Sequence, residues 1–216
     1  RERIGTPSGD YEATVKAVAA FVETAERETG KTAARVGVGI PGTLSKKNGL
    51  VKNANSVCLI GQPLDKDLEA ALGRPVRLAN DANCFALSEA VDGAASGAHV
   101  VFGVILGTGT GGGLVIGGVP LIGANAIAGE WGHNPLPWHI ANSGDRIPKQ
   151  GRQCWCGKTD CIETWLSGPG IARSHRELTG RKTTPEEILN CAIGGEIDAE
   201  TVLVDYENLL ARALAT

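Results

Sequence analysis

The sequence of 216 residues contains no methionine, few aromatic residues and no apolar run near the roughly 18 residues that span a bilayer. Its first ten residues lack the apolar centre of a signal peptide. We therefore expect no membrane partner and a cytoplasmic location. Position 1 is not methionine, and the last predicted helix reaches the end of the chain without a stop signal. We therefore expect the chain to be incomplete at both ends.

The sequence also lacks a basic stripe, since its formal net charge is -3 at pH 7. Nucleic-acid partners require clustered Lys and Arg, so none is expected. An apolar fraction of 42% and a charged fraction of 21% are typical of a globular protein. Three of the six cysteines fall within eight residues and the others are scattered. This pattern favours a metal loop and buried thiols over a disulfide framework.

Helical and strand periodicities alternate along the chain, which indicates an α/β fold. Asp10 and Gly30 are typical start and stop signals of a helix, and residues 35–40 alternate like a strand. Segment 93–98 (GAASGA) predicts a boundary between an N-terminal portion, 1–97, and a C-terminal portion, 98–216. Further predicted helices cover 64–72, 81–94, 170–178, 185–191 and 199–215, and further strands cover 76–79, 100–106, 114–116 and 119–122.

A candidate metal loop contains Cys154, Cys156 and Cys161, and His133 precedes it. Three thiolates and one imidazole complete a tetrahedral zinc shell with no position left for a reactive water. The expected metal is therefore structural. Two alternatives stay open at this point: unliganded thiols in a surface loop, and a fourth ligand other than His133.

Asp81 lies where a predicted strand meets a predicted helix, in the motif Asn80-Asp-Ala-Asn. An aspartate at this position can cap the helix through its backbone amides. It can also take a proton from a substrate hydroxyl, because α/β folds place ligands at the carboxyl ends of strands. Both roles can hold, for different residues.

A glycine loop, residues 107–113 (GTGTGGG), follows the buried strand 100–106. Glycines let the backbone approach a phosphate and present its N–H groups, while Thr108 and Thr110 add hydroxyl donors. The loop matches neither the P-loop nor the dinucleotide fingerprint. A glycine-rich hairpin without a ligand is the alternative.

The segment 129–133 (GEWGH) and Glu163, two residues after the last clustered cysteine, form a fourth candidate motif. If a metal fixes the loop, Glu130, His133 and Glu163 come close together. Two carboxylates and an imidazole can bind the vicinal hydroxyls of a sugar. The alternative is that both glutamates are simply solvated.

Together the four motifs resemble the ROK family of sugar kinases and sugar-responsive repressors, along essentially the whole chain. The sequence segments 51–56, 61–68, 77–84 and 129–138 resemble the bacterial fructokinase, or manno(fructo)kinase, branch. The resemblance implies a ribonuclease-H-like two-domain fold of the actin and hexokinase superfamily. It also implies a homodimer, with hexose and ATP meeting in a cleft between the domains.

The resemblance implies Asp81 as the catalytic base. It further implies sugar contacts at Asn55, Asn80, Glu130, His133 and Glu163, phosphate binding by Gly107, Thr108, Gly109, Thr110 and Gly111, and zinc ligation by His133, Cys154, Cys156 and Cys161. The expected cofactors are structural Zn²⁺ and Mg²⁺ with ATP. The family's glycine before the last cysteine is Asp160 here, and its N-terminal phosphate hairpin and C-terminal glycine-rich segment are expected outside this chain.

The expected activity is ATP-dependent phosphorylation of a hexose, with fructose converted to fructose 6-phosphate. Mannose, glucose and N-acetylglucosamine are the alternative substrates. The other alternative is a sugar-responsive transcriptional repressor whose DNA-binding part lies outside this chain.

Overall fold

The computed structural model describes residues 2–137 and 151–216, and the chain divides into two compact units. Unit 1 comprises Arg1–Gly103 and Gly113–Gly129, and unit 2 comprises Val104–Gly112 and Glu130–Thr216. The chain thus leaves unit 1 a few residues after the predicted boundary at 97/98, and residues 113–129 return to it. The predicted division into 1–97 and 98–216 stays a prediction. Trp138, the last residue of the fructokinase-like segment 129–138, lies outside the described residues.

Unit 1 is built on a parallel pair of strands, β1 (Val36–Ile40) and β4 (Val76–Asn80). Helix α1 (Tyr11–Thr29) begins where the Asp10 carboxylate accepts a bond from the Ala13 N–H, and it ends at a left-handed Gly30, as predicted. Helix α2 (Leu64–Leu72) packs against α1 and β4. The core between these elements consists of Val15, Ile40, Val51, Ala54, Leu59, Leu64, Leu68 and Val76.

Between β1 and α2 the chain forms a short antiparallel pair, β2 (Thr43–Leu44) and β3 (Val51–Lys52), and a 3₁₀ helix, Val57–Leu59. None of these three elements was predicted, because strands of two residues are too short to show a period. Helix α3 (Asp81–Val91) follows β4 directly, as predicted.

A second sheet has the strand order β5 (Val100–Leu106), β6 (Thr110–Ile116) and β7 (Val119–Pro120). The predicted glycine turn between β6 and β7 is confirmed, with Gly117 and Gly118 at positive φ. Strand β6 begins earlier than predicted, because its glycines lie in extended backbone. A β-carbon at Gly113 would come within 2.5 Å of the Ala82 carbonyl oxygen, so glycine is needed there for close packing.

The described residues of unit 2 form four helices, and the three long ones lie where the sequence predicts them. They are α4 (Glu163–Leu166), α5 (Gly168–Thr179), α6 (Pro185–Ile193) and α7 (Ile197–Leu214). Their apolar faces form two clusters, one around Trp165 and Leu166 and the other around Ile188 and Val202. Among the described residues, no helix combines the length and apolar character needed to cross a bilayer.

Candidate functional site

In unit 1 the predicted catalytic residue lies at the carboxyl end of the parallel strand pair. Asn80, the last residue of β4, caps α3, since its side-chain oxygen accepts a bond from the Asn83 N–H at 3.1 Å. Asp81 is the first residue of the helix and is exposed. The Asp81 carboxylate also bonds the first turn, since its Oδ1 accepts from the Ala82 N–H at 2.8 Å. Asn80 is therefore the N-cap, while the Asp81 carboxylate bonds one backbone N–H and is still exposed to a substrate.

Gly42, directly after β1, connects two of the predicted sugar contacts of unit 1. The Asn80 side-chain amide donates to the Gly42 carbonyl at 3.2 Å. Gly42 has φ 150°, and a β-carbon there would come within 3.0 Å of Ala54. Asn55 follows Ala54 and is exposed. The turn after β1 thus holds Asn80 and the Asn55 loop at one edge of the strand pair.

In unit 2 two backbone segments that carry predicted sugar contacts lie side by side. The Glu163 N–H donates to the Gly132 carbonyl at 2.8 Å, and the Ile162 N–H donates to the Asn134 carbonyl at 2.9 Å. These bonds bring His133 and Glu163, which are far apart in the sequence, next to each other. Glu130 lies in the same segment as His133 and is exposed.

Thr110 connects the glycine loop to this pair. Its N–H donates to Oε2 of Glu163 at 3.0 Å, and its buried hydroxyl donates to the Leu166 carbonyl at 3.0 Å. A β-carbon at Gly132 would overlap the Thr110 carbonyl oxygen, which is why the GEWGH motif needs glycine there. The Thr110 hydroxyl is therefore engaged inside the protein, whereas Thr108 is exposed.

The predicted metal ligands converge in unit 2. One ligand atom each from His133, Cys154, Cys156 and Cys161 lies within 4.8 Å of all the others. Nδ1 of His133 is 3.5 Å from Sγ of Cys154, and Sγ of Cys156 is 3.5 Å from Sγ of Cys161. Ligands of a tetrahedral zinc ion lie about 3.8 Å apart, as its bond lengths of about 2.0 to 2.3 Å require. The four side chains therefore fit a zinc ion.

The loop that carries the three cysteines is a tight hairpin. The Cys154 N–H donates to the Lys158 carbonyl at 2.8 Å, and the Asp160 N–H donates to the Arg152 carbonyl at 2.8 Å. Asp160 adopts φ 55°, a left-handed conformation that glycine takes most readily. Its carboxylate accepts a bond from the Arg152 N–H at 2.7 Å. This bond compensates for the strain, so the turn is retained without glycine.

Burial acts on the pKa of each clustered thiol, and for two of the three it sets the direction of the shift. It raises the pKa of Cys154, and it raises the pKa of Cys161 to about 12. For Cys156 burial is outweighed by the backbone N–H of Lys158 and the neighbouring thiols, which lower the pKa. Outside the loop, the expectation of buried thiols was wrong: Cys84 is exposed, and Cys58 and Cys191 are half-buried.

Arg152 and Trp155 lie on either side of Cys154 in the sequence, and neither was identified as a functional residue from the sequence. Arg152 is 1% exposed, lies 3.6 Å above the Trp165 ring and forms an ion pair with Glu177 on α5 at 2.7 Å. Burial lowers the pKa of the Arg152 guanidinium, and the Glu177 carboxylate opposes that shift. Trp155 is exposed and donates from Nε1 to Oε1 of Glu163 at 2.8 Å. An aromatic residue between two metal ligands was the available signal for Trp155.

A cavity of about 900 Å³ lies in unit 2 beside the glycine loop. Gly107 and Thr108 line one part of it, and α5, α6 and α7 supply most of the rest. Its cationic residues are Arg173, Arg176 and Lys182, and its apolar residues include Ile171, Leu189, Leu203 and Tyr206. Ligand pockets are commonly about 300 to 1,000 Å³, so this cavity is large enough for a nucleotide.

Comparisons with known proteins agree with this geometry. The family whose model matches is the ROK family, over residues 1–216. The N-acetyl-D-glucosamine kinase of Salmonella paratyphi B is 41% identical over 214 residues, which cover 99% of this chain and 70% of that protein. A ROK hexokinase from Thermus thermophilus is 31% identical with a TM-score of 0.80, covering 98% of this chain and 67% of that one. A ROK glucokinase from Streptomyces griseus, solved with glucose and AMPPNP, is 27% identical with a TM-score of 0.76, covering 98% and 69%.

These matches confirm the predicted family resemblance and the actin/hexokinase-type α/β fold. They also bear out the sugar-kinase part of the functional prediction. The finer part is not supported, because the curated relative is an N-acetylglucosamine kinase and not a fructokinase. Motifs that contact hydroxyls common to many hexoses do not separate one hexose from another. With the whole chain matched by the family model and a curated relative at 41% identity, the chain belongs to the ROK family.

Proposed function

We propose that this protein is an ATP-dependent hexose kinase, with N-acetylglucosamine as the first candidate substrate and fructose, glucose and mannose as the others. The observation that carries the proposal is the bond from the Thr110 N–H to Glu163. It joins the glycine loop, suited to phosphate, to a carboxylate suited to sugar hydroxyls. A kinase needs its phosphoryl donor and acceptor held in one arrangement. The names of the related kinases support N-acetylglucosamine and glucose, whereas fructose and mannose rest on the resemblance of the sequence segments.

In this proposal the cavity of unit 2 takes the nucleotide. Its apolar residues suit the base, and Arg173, Arg176 and Lys182 suit the phosphates. The glycine loop forms part of the lining through Gly107 and Thr108, so its N–H groups can meet the terminal phosphates. Mg²⁺ arrives with ATP as part of the substrate.

The sugar is held by carboxylates, an imidazole and amides. In unit 2 the proposed sugar contacts are Glu130, His133 and Glu163. In unit 1 the proposed sugar contacts are Asn55 and Asn80. Carboxylates accept bonds from hydroxyl groups, while amides both donate and accept. The Asn80 side chain already donates to Gly42 and caps α3, so the orientation of its amide is fixed before the sugar binds.

Phosphoryl transfer follows from these roles. A sugar hydroxyl attacks the γ-phosphorus in line, the bond to the β,γ-bridging oxygen breaks, and ADP leaves with that electron pair. Asp81 accepts the hydroxyl proton as general base. The N–H groups of the glycine loop stabilise the negative charge on the equatorial oxygens, and the magnesium of MgATP adds to that stabilisation.

We also propose that His133, Cys154, Cys156 and Cys161 hold a structural zinc ion. All four coordination positions are then filled by protein, so the ion supplies rigidity and takes no part in the reaction. Its effect on the sugar site is transmitted through the bonds between residues 132–134 and 162–163.

A coupled ADP-release assay with the four sugars tests the proposal. Because this chain spans 70% of its curated relative, the assay uses the complete natural polypeptide. We expect turnover that requires both ATP and sugar, with the highest kcat/KM for N-acetylglucosamine. Specific operator binding without phosphoryl transfer would instead identify a sugar-responsive repressor and overturn the kinase proposal.

The substitution Asp81→Asn tests the catalytic base. We expect kcat to fall about 10²- to 10⁴-fold, because the amide cannot accept the hydroxyl proton. Asp92→Asn is the matched control, since Asp92 is an exposed acid at the other end of the same helix. A folded D81N variant with wild-type kcat would remove Asp81 from the catalytic role.

A further inference from the structure

Trp155 lies between two of the cysteine ligands and contacts two predicted sugar-binding residues at once. Its side chain is 72% exposed, yet it is held in place by its polar edge. Nε1 donates to Oε1 of Glu163 at 2.8 Å. The indole meets the His133 ring edge to face, with centroids 4.7 Å apart and an interplanar angle of 85°. Single exposed aromatic residues are common and need no explanation. An exposed indole held by two predicted sugar-binding residues is unusual and indicates a role in that site.

The hydrogen bonds of Glu163 show what the indole does. An ionised carboxylate offers about four lone-pair sites on its two oxygens. The Thr110 N–H uses one site on Oε2, and the Trp155 N–H uses one site on Oε1. Two donors on opposite oxygens fix the plane of the carboxylate. About one site per oxygen then remains, which matches the two O–H donors of a vicinal diol.

The ring itself adds an apolar surface beside these polar groups. A hexose presents C–H groups between its hydroxyls, and these groups pack against aromatic faces. Because the indole edge is bonded to Glu163, the exposed ring lies next to the hydroxyls that Glu163 would bind. A rigid ring loses little conformational entropy when it contacts a ligand.

We propose that Trp155 is a positioning and contact residue of the sugar site. Its N–H holds the Glu163 carboxylate in the orientation that accepts a vicinal diol, and its exposed ring forms an apolar wall for the sugar. The inference rests on the proposed function, since it takes Glu163 and His133 as sugar contacts.

Two substitutions separate the contributions of the N–H and the ring. Trp155→Phe keeps an aromatic ring and removes the donor, whereas Trp155→Ala removes both. In the complete polypeptide we expect W155F to raise the KM for N-acetylglucosamine about 3- to 10-fold, the range that the net contribution of one ordinary hydrogen bond covers. We expect W155A to raise it about 3-fold further. The KM for ATP, the zinc content and the melting temperature stay unchanged in both variants.

Gln153→Ala is the matched control, because Gln153 is an exposed residue of the same hairpin whose amide bonds Thr159. Sugar KM in this variant stays at the wild-type value. Unchanged sugar KM in both W155F and W155A overturns the inference, and an effect in W155A alone overturns the positioning role. A fall in zinc content in both variants also overturns it, since the indole would then serve only the folding of the loop.

The proposed function is tested by a different result from the one that tests Trp155. It fails if the wild-type protein phosphorylates none of the four sugars. Calorimetric titration with N-acetylglucosamine then decides the role of Trp155 by itself. Equal affinities of wild type and W155F, or no sugar binding at all, would overturn the inference without any reference to turnover.

Discussion

Thr110 shows how much of the candidate site depends on one residue. Its N–H, hydroxyl and carbonyl meet Glu163, Leu166 and Gly132, so three elements of unit 2 are joined at one point. No side chain fits at Gly132, because a β-carbon there would overlap the Thr110 carbonyl oxygen. At the residue scale, the position of the glycine loop therefore depends on the absence of a β-carbon.

Gly132→Ala tests this dependence. We expect the variant to lose about 1 to 3 kcal/mol of unfolding free energy, because the new methyl group overlaps the Thr110 carbonyl oxygen. Gly37→Ala is the control, since a β-carbon there has no atom within 4 Å and Gly37 has no positive φ. Urea unfolding of both variants provides the measurement. Equal urea midpoints for G132A and wild type would show that the glycine loop moves to accept the methyl group with no loss of unfolding free energy.

At the element scale, the hairpin of residues 152–160 is fixed at both sides. On one side its cysteines meet His133, and on the other side Arg152 is buried against Trp165 and bonded to Glu177 of α5. A buried guanidinium is favourable only with its partners in place. The Arg152 contacts therefore keep the hairpin attached to α5, while the proposed zinc ion would fix its cysteine end.

The zinc content of wild type and of the Cys156→Ser variant tests the proposed metal centre. We expect about one zinc per chain by elemental analysis, and far less in Cys156→Ser, with a lower melting temperature. Cys191→Ser is the control, because Cys191 is half-buried on α6 and is not one of the clustered ligands. Wild-type zinc content in C156S would remove Cys156 from the ligand set.

The same centre predicts a pH dependence. Because burial raises the pKa of Cys154 and Cys161, both thiols are protonated in the metal-free protein at neutral pH. Zinc must displace those protons, so its affinity rises with pH. We expect at least about a tenfold gain from pH 6 to pH 8 in a chelator competition. An affinity that does not change over this range would exclude thiolate ligation.

At the scale of the whole molecule, the two units have separate cores. Leu68 is fully buried in the core of unit 1, and Leu166 is fully buried in a core of unit 2. A defect in one core is therefore felt first within its own unit. The predicted homodimer stays a prediction.

The prediction at this scale concerns Leu68→Ala. We expect a loss of about 2 to 5 kcal/mol in the local stability of unit 1, from the cavity that the smaller side chain leaves. Hydrogen exchange should accelerate in α1, α2, β1 and β4, while the amides of residues 152–166 keep their protection. Equal acceleration in both regions would contradict separate cores.

Much of the fold was predictable because its signals are local. The limits of α2 and the start of α3 followed from periodicity and from the junction at Asp81. The two-residue strands and the early start of β6 were not predictable, since glycines read as a loop when their packing partner is unknown. In the candidate site the sequence named four candidate metal ligands, whose side chains the structure brings together. It left out Arg152 and Trp155, whose partners lie elsewhere in the chain.

By itself the sequence determined the elements, the ligand types and the family, because caps, periods and side-chain chemistry are properties of short segments. Only the tertiary structure decided that the Asn80 amide reaches the Gly42 carbonyl and that Asp81 is exposed. It alone decided that Glu163 receives bonds from both Thr110 and Trp155. Those outcomes depend on which distant segments lie side by side, and packing of the whole unit fixes that arrangement.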